Sequence, residues 1–304
     1  MFIYALANIG FEKFLKDEVA TKSPVLKLSY SRPGFLTFKS AKDISSPSFI
    51  FARATGISLC RCTDADLERT IAIHAGSRIV QRYSIPTGTC VGEAAPVDAE
   101  ILDVVEVVAN EFWIGVRTAP FYGWSLPGAL PQIPLPEAAP SRAYLKLEEM
   151  LAWSRFSPTP KTIAVELGSA PGGASWALLN RGLRVVGVDT GEMGAVCLEN
   201  PNYSHVAMSV RDLRKKNLPE HFPLLFCDLG LTAVEAVPQL RHLCHIYPDI
   251  SRIYYTMKMG KGLSIADIDA YSESLRTLGF KIHVTHLPAN RNEIFMLGVR
   301  KTGL

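Results

Sequence analysis

Residues 162–182 read TIAVELGSAPGGASWALLNRG: an apolar run, a glycine-rich turn and an apolar helix former, and that order decides the fold of the second half of the chain. Between a strand and a helix, glycines let the backbone turn tightly and come bare against a ligand. Their spacing selects the ligand. Gly168, Gly172 and Gly173 stand as G-x-x-x-G-G, whereas a dinucleotide pyrophosphate is held by G-x-G-x-x-G and a P-loop ends in Gly-Lys-Ser/Thr. Neither is present, and a loop carrying Pro171 suits a ligand that needs close approach more than an anion nest, such as the methionine part of S-adenosylmethionine. The next apolar run, RVVGVD, ends in Asp189, 21 residues beyond Gly168, where a carboxylate accepts hydrogen bonds from ribose hydroxyls. Loop and acid together point to a nucleoside cofactor. A plain strand–turn–helix with an acidic cap is the alternative.

Outward from this loop the pattern alternates. Helices are expected over 143–153, 174–181, 232–244 and 265–278, and strands over 162–167, 184–189, 205–209, 224–228, 252–258, 281–286 and 294–300. Such alternation means an α/β, Rossmann-like domain at 141–304, with a mostly parallel doubly wound sheet that binds ligands at the carboxyl ends of its strands. Before it, Trp124–Pro140 carries Pro127, Pro131, Pro134, Pro136 and Pro140 and reads as a semi-rigid linker. Residues 1–123 read as a smaller α+β domain: strands over 2–7, 25–29, 35–38 and 112–116, and helices over 11–20, 64–75 and 99–110.

A chain of 304 residues, 48% hydrophobic and 20% charged, suits two folded domains and not a disordered chain. The net charge is only +3, so nucleic-acid binding has to rest on a local patch. That excess sits after residue 130, where 19 Lys and Arg face 16 Asp and Glu. No signal-peptide pattern and no run of about 18 apolar residues is present, so a cytoplasmic protein without a membrane span is expected. The six cysteines form no C-x-x-C pair and no ligand spacing with histidine, so reduced thiols and no metal are expected.

Four charged residues stand at strand ends or helix starts: Lys146 in the first helix of the second domain, Asp228 ending LLFCD, Lys258 ending IYYTMK and Glu293 before IFMLGV. A charge closing an apolar run at the carboxyl edge of a parallel sheet faces the ligand crevice. One such residue alone is more often a salt-bridge partner; four together reverse that preference.

PSRAYLKLEE, LGSAPGG, the strand-ending Asp and Lys, and NEIFML, in that order, resemble the FtsJ-like ribose 2'-O-methyltransferases. The resemblance covers nearly all of the second half. It implies S-adenosylmethionine as cofactor and a Lys-Asp-Lys-Glu catalytic tetrad falling on Lys146, Asp228, Lys258 and Glu293. It sets the cofactor against Ser141, Gly168, Ser169, Ala170, Pro171, Gly172, Gly173, Ala174, Asp189, Ser209 and Asp228. Ser209 stands where an acidic contact is the pattern, and Ala174 and Ser175 displace the aromatic, Trp176, that usually follows the glycine pair.

ANIGFEKFLKDEV, YSRPGFLTF, IFARATG and the proline-rich approach to APSRAYLKLEE are similar to the RlmM-type branch of that family. This implies methylation of a cytidine ribose in large-subunit (23S) ribosomal RNA and an N-terminal THUMP-like (ferredoxin-like) RNA-binding domain; a monomer is the default expectation. Arg211, Arg214, Lys215, Lys216, Lys261 and Arg291 fall near the ligand edge, where they would hold RNA phosphates; a solvated loop is an equally good reading of RDLRKK.

A ribose hydroxyl is a weak acid, so its methylation needs alignment and help with proton loss. Lys258 as general base needs its pKa pulled below the ordinary ~10.4; as a charged residue it would orient the hydroxyl while Asp228 stands closer to the proton. The sequence leaves both roles open. A cofactor-binding protein without turnover is disfavoured by the intact tetrad, and a nicotinamide-dependent oxidoreductase by the glycine spacing.

Overall fold

The computed structural model describes residues 1–42, 47–260 and 262–300 and divides the chain into two compact units: 1–132 with 153–155, and 133–152 with 156–304. The first unit runs β1 (Phe2–Leu6), α1 (Glu12–Lys22), β2 (Lys27–Arg32), β3 (Phe35–Lys39), β4 (Ala54–Cys62), α2 (Leu67–Ala75), β5 (Ile79–Ser84), β6 (Cys90–Val91), β7 (Glu100–Val108) and β8 (Glu111–Thr118). These strands form one sheet, ordered β2-β3-β1-β4-β8-β7-β5-β6 and antiparallel except between β5 and β7.

Two expectations are corrected here. The helix expected over 99–110 is strand β7. Its run of β-branched valines pairs with β5 on one side and β8 on the other, and tertiary pairing overrides an ambiguous apolar pattern. The proline-rich stretch expected to be linker throughout is packed at its start. Buried Arg117 pairs with Asp103 at 2.6 Å and donates to the Trp124 and Leu126 carbonyls, while Gln81 donates to the Ser125 carbonyl. The Tyr4 hydroxyl also donates to Asp103, so the buried Arg117–Asp103 ion pair is further hydrogen-bonded inside the sheet.

In the second unit follow α3 (Ala143–Trp153), β9 (Ile163–Leu167), α4 (Gly173–Leu179), β10 (Arg184–Val188), α5 (Ala195–Leu198), β11 (Tyr203–Val206), β12 (Leu224–Cys227), α6 (Ala233–Ile246), β13 (Arg252–Lys258), α7 (Ile265–Arg276), β14 (Lys281–Thr285) and β15 (Glu293–Val299). The sheet order is β11-β10-β9-β12-β13-β15-β14. Strands β9 to β13 are parallel, and β15 is antiparallel to β13 and β14. The central strands are buried on both faces, which is why they read as unbroken apolar runs; Phe226 stacks on Tyr254 with ring centres 4.7 Å apart. From β9 the chain moves first to one side and later, at β12, to the other. The crevice where that order reverses is where ligands bind on such sheets, and the glycine loop opens directly into it. Among the described residues no helix is long and apolar enough to cross a membrane.

Candidate active site

Lys146, Asp228, Lys258 and Glu293 come together at the carboxyl edge of this sheet in a closed ring. Lys146 Nζ lies 2.9 Å from Asp228 Oδ2 and 2.7 Å from Glu293 Oε2, and Lys258 Nζ lies 2.8 Å from Asp228 Oδ1 and 2.5 Å from Glu293 Oε1. Each carboxylate bridges both ammonium groups, so the ring is neutral overall. Four different elements deliver it. Asp228 and Lys258 are at the ends of parallel neighbours β12 and β13, Lys146 is in the first turn of α3, and Glu293 opens β15, whose antiparallel register sets it opposite Lys258. Burial pulls the Lys258 ammonium down, but the charges and hydrogen bonds of Asp228 and Glu293 outweigh it and the net shift is upward. Lys258 is therefore a cation at neutral pH.

Beside the ring, the loop from Gly168 to Ala174 joins β9 to α4. Gly168 takes φ +81°, and a Cβ there would meet the Asp228 carbonyl carbon at 2.8 Å, so glycine is what lets the two strand ends approach. Gly173 brings α4 against the start of α3, where a Cβ would lie 2.6 Å from the Ser141 carbonyl oxygen and 2.9 Å from the Tyr144 nitrogen. Ser141 Oγ accepts from the Ala143 N–H at 3.3 Å. Asp189 follows β10 and fastens the loop, accepting from the Ala170 N–H at 3.0 Å and the Gly191 N–H at 2.7 Å. Ser169 turns inward instead, 2% exposed, with its hydroxyl 3.5 Å from Met193 Sδ. The loop offers backbone and no basic side chain, and it lies between the acids Asp189 and Asp228. That donor set fits a cationic nucleoside and not a pyrophosphate.

Residues 139–265 match the family described as FtsJ-like methyltransferase. This likeness falls on the second unit. The chain is 32% identical over 225 residues to ribosomal RNA large subunit methyltransferase M of Cellvibrio japonicus, an alignment covering 66% of this chain and 62% of that protein. It is 28% identical over 178 residues to the protein of that name from Halorhodospira halophila (58% and 51% covered), and 47% identical over 111 residues to that from Ectopseudomonas mendocina (34% and 30%). The chain thus spans less than two thirds of the relatives it matches.

Other expected contacts in the second unit are dispersed. Strand β11 ends at Val206, so Ser209 does not close it; Ser209 caps a one-turn helix at 210–212, its Oγ accepting from the Arg211 N–H at 3.3 Å. That short turn ended the strand early. Arg211 pairs with Glu235 at 2.6 Å, while Arg214, Lys215, Lys216 and Arg291 are exposed. Lys261 lies outside the described residues. Two acids went unnoticed in sequence. Glu149 on α3 accepts from the Ala289 N–H at 2.7 Å and so holds the segment leading to Glu293. Glu166, 2% exposed on β9, accepts from the Ser175 hydroxyl at 2.5 Å. A carboxylate inside the apolar run IAVEL was the available signal for the latter.

Proposed function

We propose that this protein transfers a methyl group from S-adenosylmethionine to a ribose 2'-oxygen of RNA, a cytidine of 23S ribosomal RNA, acting in the cytoplasm as a monomer. The ring of Lys146, Asp228, Lys258 and Glu293 beside the 168–174 loop carries this reading. The cofactor supplies an electrophilic methyl on a positively charged sulfur. Gly168, Ala170, Gly172 and Gly173 would hold it by backbone, Asp189 by its ribose hydroxyls.

Lys258 stays charged, donates to the 2'-oxygen and stabilises the negative charge that grows there. Lys146 and Glu293 hold Lys258 and Asp228 in register, so the hydroxyl meets a fixed pair of groups. On transfer of that methyl, the hydroxyl proton would pass to the Asp228 carboxylate and from there to solvent. The first unit grips the RNA as a THUMP-like domain, with Arg214, Lys215, Lys216 and Arg291 as phosphate contacts in the second. The name shared by the relatives supports the ribosomal substrate.

The test is transfer of labelled methyl to unmethylated ribosomal RNA under single-turnover conditions, with the product mapped by ribose-methylation-resistant cleavage. Lys258→Ala should lose about 10³-fold in rate, and Lys258→Arg, which keeps the charge, only about tenfold. Loss of all activity in the arginine variant with cofactor binding intact would return Lys258 to the role of base. Cofactor binding without transfer to any RNA would make the chain a binding protein.

A further inference from the structure

Glu166 takes no part in the chemistry above, yet it lies on β9 two residues before Gly168, directly behind the loop. Every element around it presents either an acid or a neutral group, apart from one committed lysine. Asp189 follows β10 and Asp228 follows β12; both raise its proton affinity. Cys197 on α5 and Tyr203 on β11 are pushed up by burial to about 11 and about 12 and are neutral. Beneath α3, Glu166 lines a cavity of about 20 Å³ with Lys146, Cys227, Tyr254 and Thr256, and Lys146 is already held by Asp228 and Glu293. Ser175 on α4 donates to Glu166, and among the described residues no ion pair reaches it. Burial, opposed by the Ser175 hydrogen bond and helped by Asp228 and Asp189, pushes the carboxyl up to about 8.

A buried carboxyl without a counter-cation keeps its proton and gives it up when a cation arrives. We propose that Glu166 is a positioning residue of the cofactor pocket that holds a proton in the free protein, ionises when a positively charged methyl donor settles on the loop, and thereby favours the sulfonium donor over the uncharged thioether product. This rests on the cofactor reading above. Donor binding releases the proton to buffer; departure of the thioether lets Glu166 take one back. Donor affinity therefore rises with pH up to about 8 and levels off above it.

The experiment is calorimetric titration of the full chain with S-adenosylmethionine and with S-adenosylhomocysteine, in two buffers of different ionisation enthalpy, at neutral and at alkaline pH. Close to one proton should leave with the donor at pH ~7, fewer with the thioether, and none above pH ~9. Glu166→Gln, whose amide oxygen still accepts from Ser175, should bind without proton release and lose about tenfold in donor-over-thioether preference, the equivalent of about one pKa unit. Ser175→Ala removes the bond that lowers the carboxyl, so release should persist to higher pH. Heats identical in both buffers, or proton release kept in Glu166→Gln, would overturn the role given to Glu166 while leaving the cofactor reading intact. No binding heat and no rise in melting temperature with the donor would sink both.

Discussion

Lys258 shows how neighbours decide the role of one side chain. A lysine among apolar strand residues is a candidate base because burial lowers it, yet two carboxylates within 2.8 Å reverse the sign. The pH–rate profile of methyl transfer should accordingly carry no inflection from Lys258 on the acid side of its ordinary range. Glu166 is the opposite case. Its folded pKa, about 8, lies above the value of about 4.5 in an unfolded chain, so folding favours the protonated acid. That contribution is full below pH about 4.5, fades as pH rises and is gone above about 8, a change of order 5 kcal/mol. Urea unfolding from pH 5 to pH 9 should show wild type losing stability relative to Glu166→Gln; parallel curves would mean the carboxyl ionises normally in the fold.

At the scale of elements, two junctions hold the site. Gly173 sets α4 against α3, and an added methyl meets backbone atoms that cannot swing away. Gly173→Ala should cost about 1–3 kcal/mol and weaken S-adenosylmethionine binding, read by thermal unfolding and calorimetry. Glu149 ties α3 to the segment before β15. Glu149→Ala leaves a half-buried N–H unpaired, a loss of about 1 kcal/mol, and should slow transfer more than it weakens donor binding, because Glu293 is the tetrad member that moves. Equal effects on rate and affinity would place Glu149 outside the site. The alternation after residue 141 was legible because each strand there is short, apolar and bounded by turn residues. The pattern over 100–108 was not, since two buried faces erase the period that separates strand from helix.

For the whole molecule, a net charge of +3 means that RNA affinity depends on where the cations lie. Binding of ribosomal RNA should weaken with salt, and Arg214→Ala and Arg291→Ala should each lower the slope of log affinity against log salt by about one without changing the nucleotide modified. An unchanged slope would make those side chains ordinary solvated charges. By itself the sequence determined the α/β class of the second unit, the glycine loop, Asp189 and the identity of four charged residues, because strand ends and loops carry local signals that need no partner. Tertiary structure alone decided that β15 runs antiparallel, bringing Glu293 opposite Lys258, that Ser209 caps a turn beyond a shortened strand, and that Arg117 fastens the start of the proline-rich stretch. The register of β15, the charge of Lys258 and the proton on Glu166 depend on residues far apart in the chain, while the Ser209 cap and the Arg117 bonds are close in sequence but leave no periodic pattern in it.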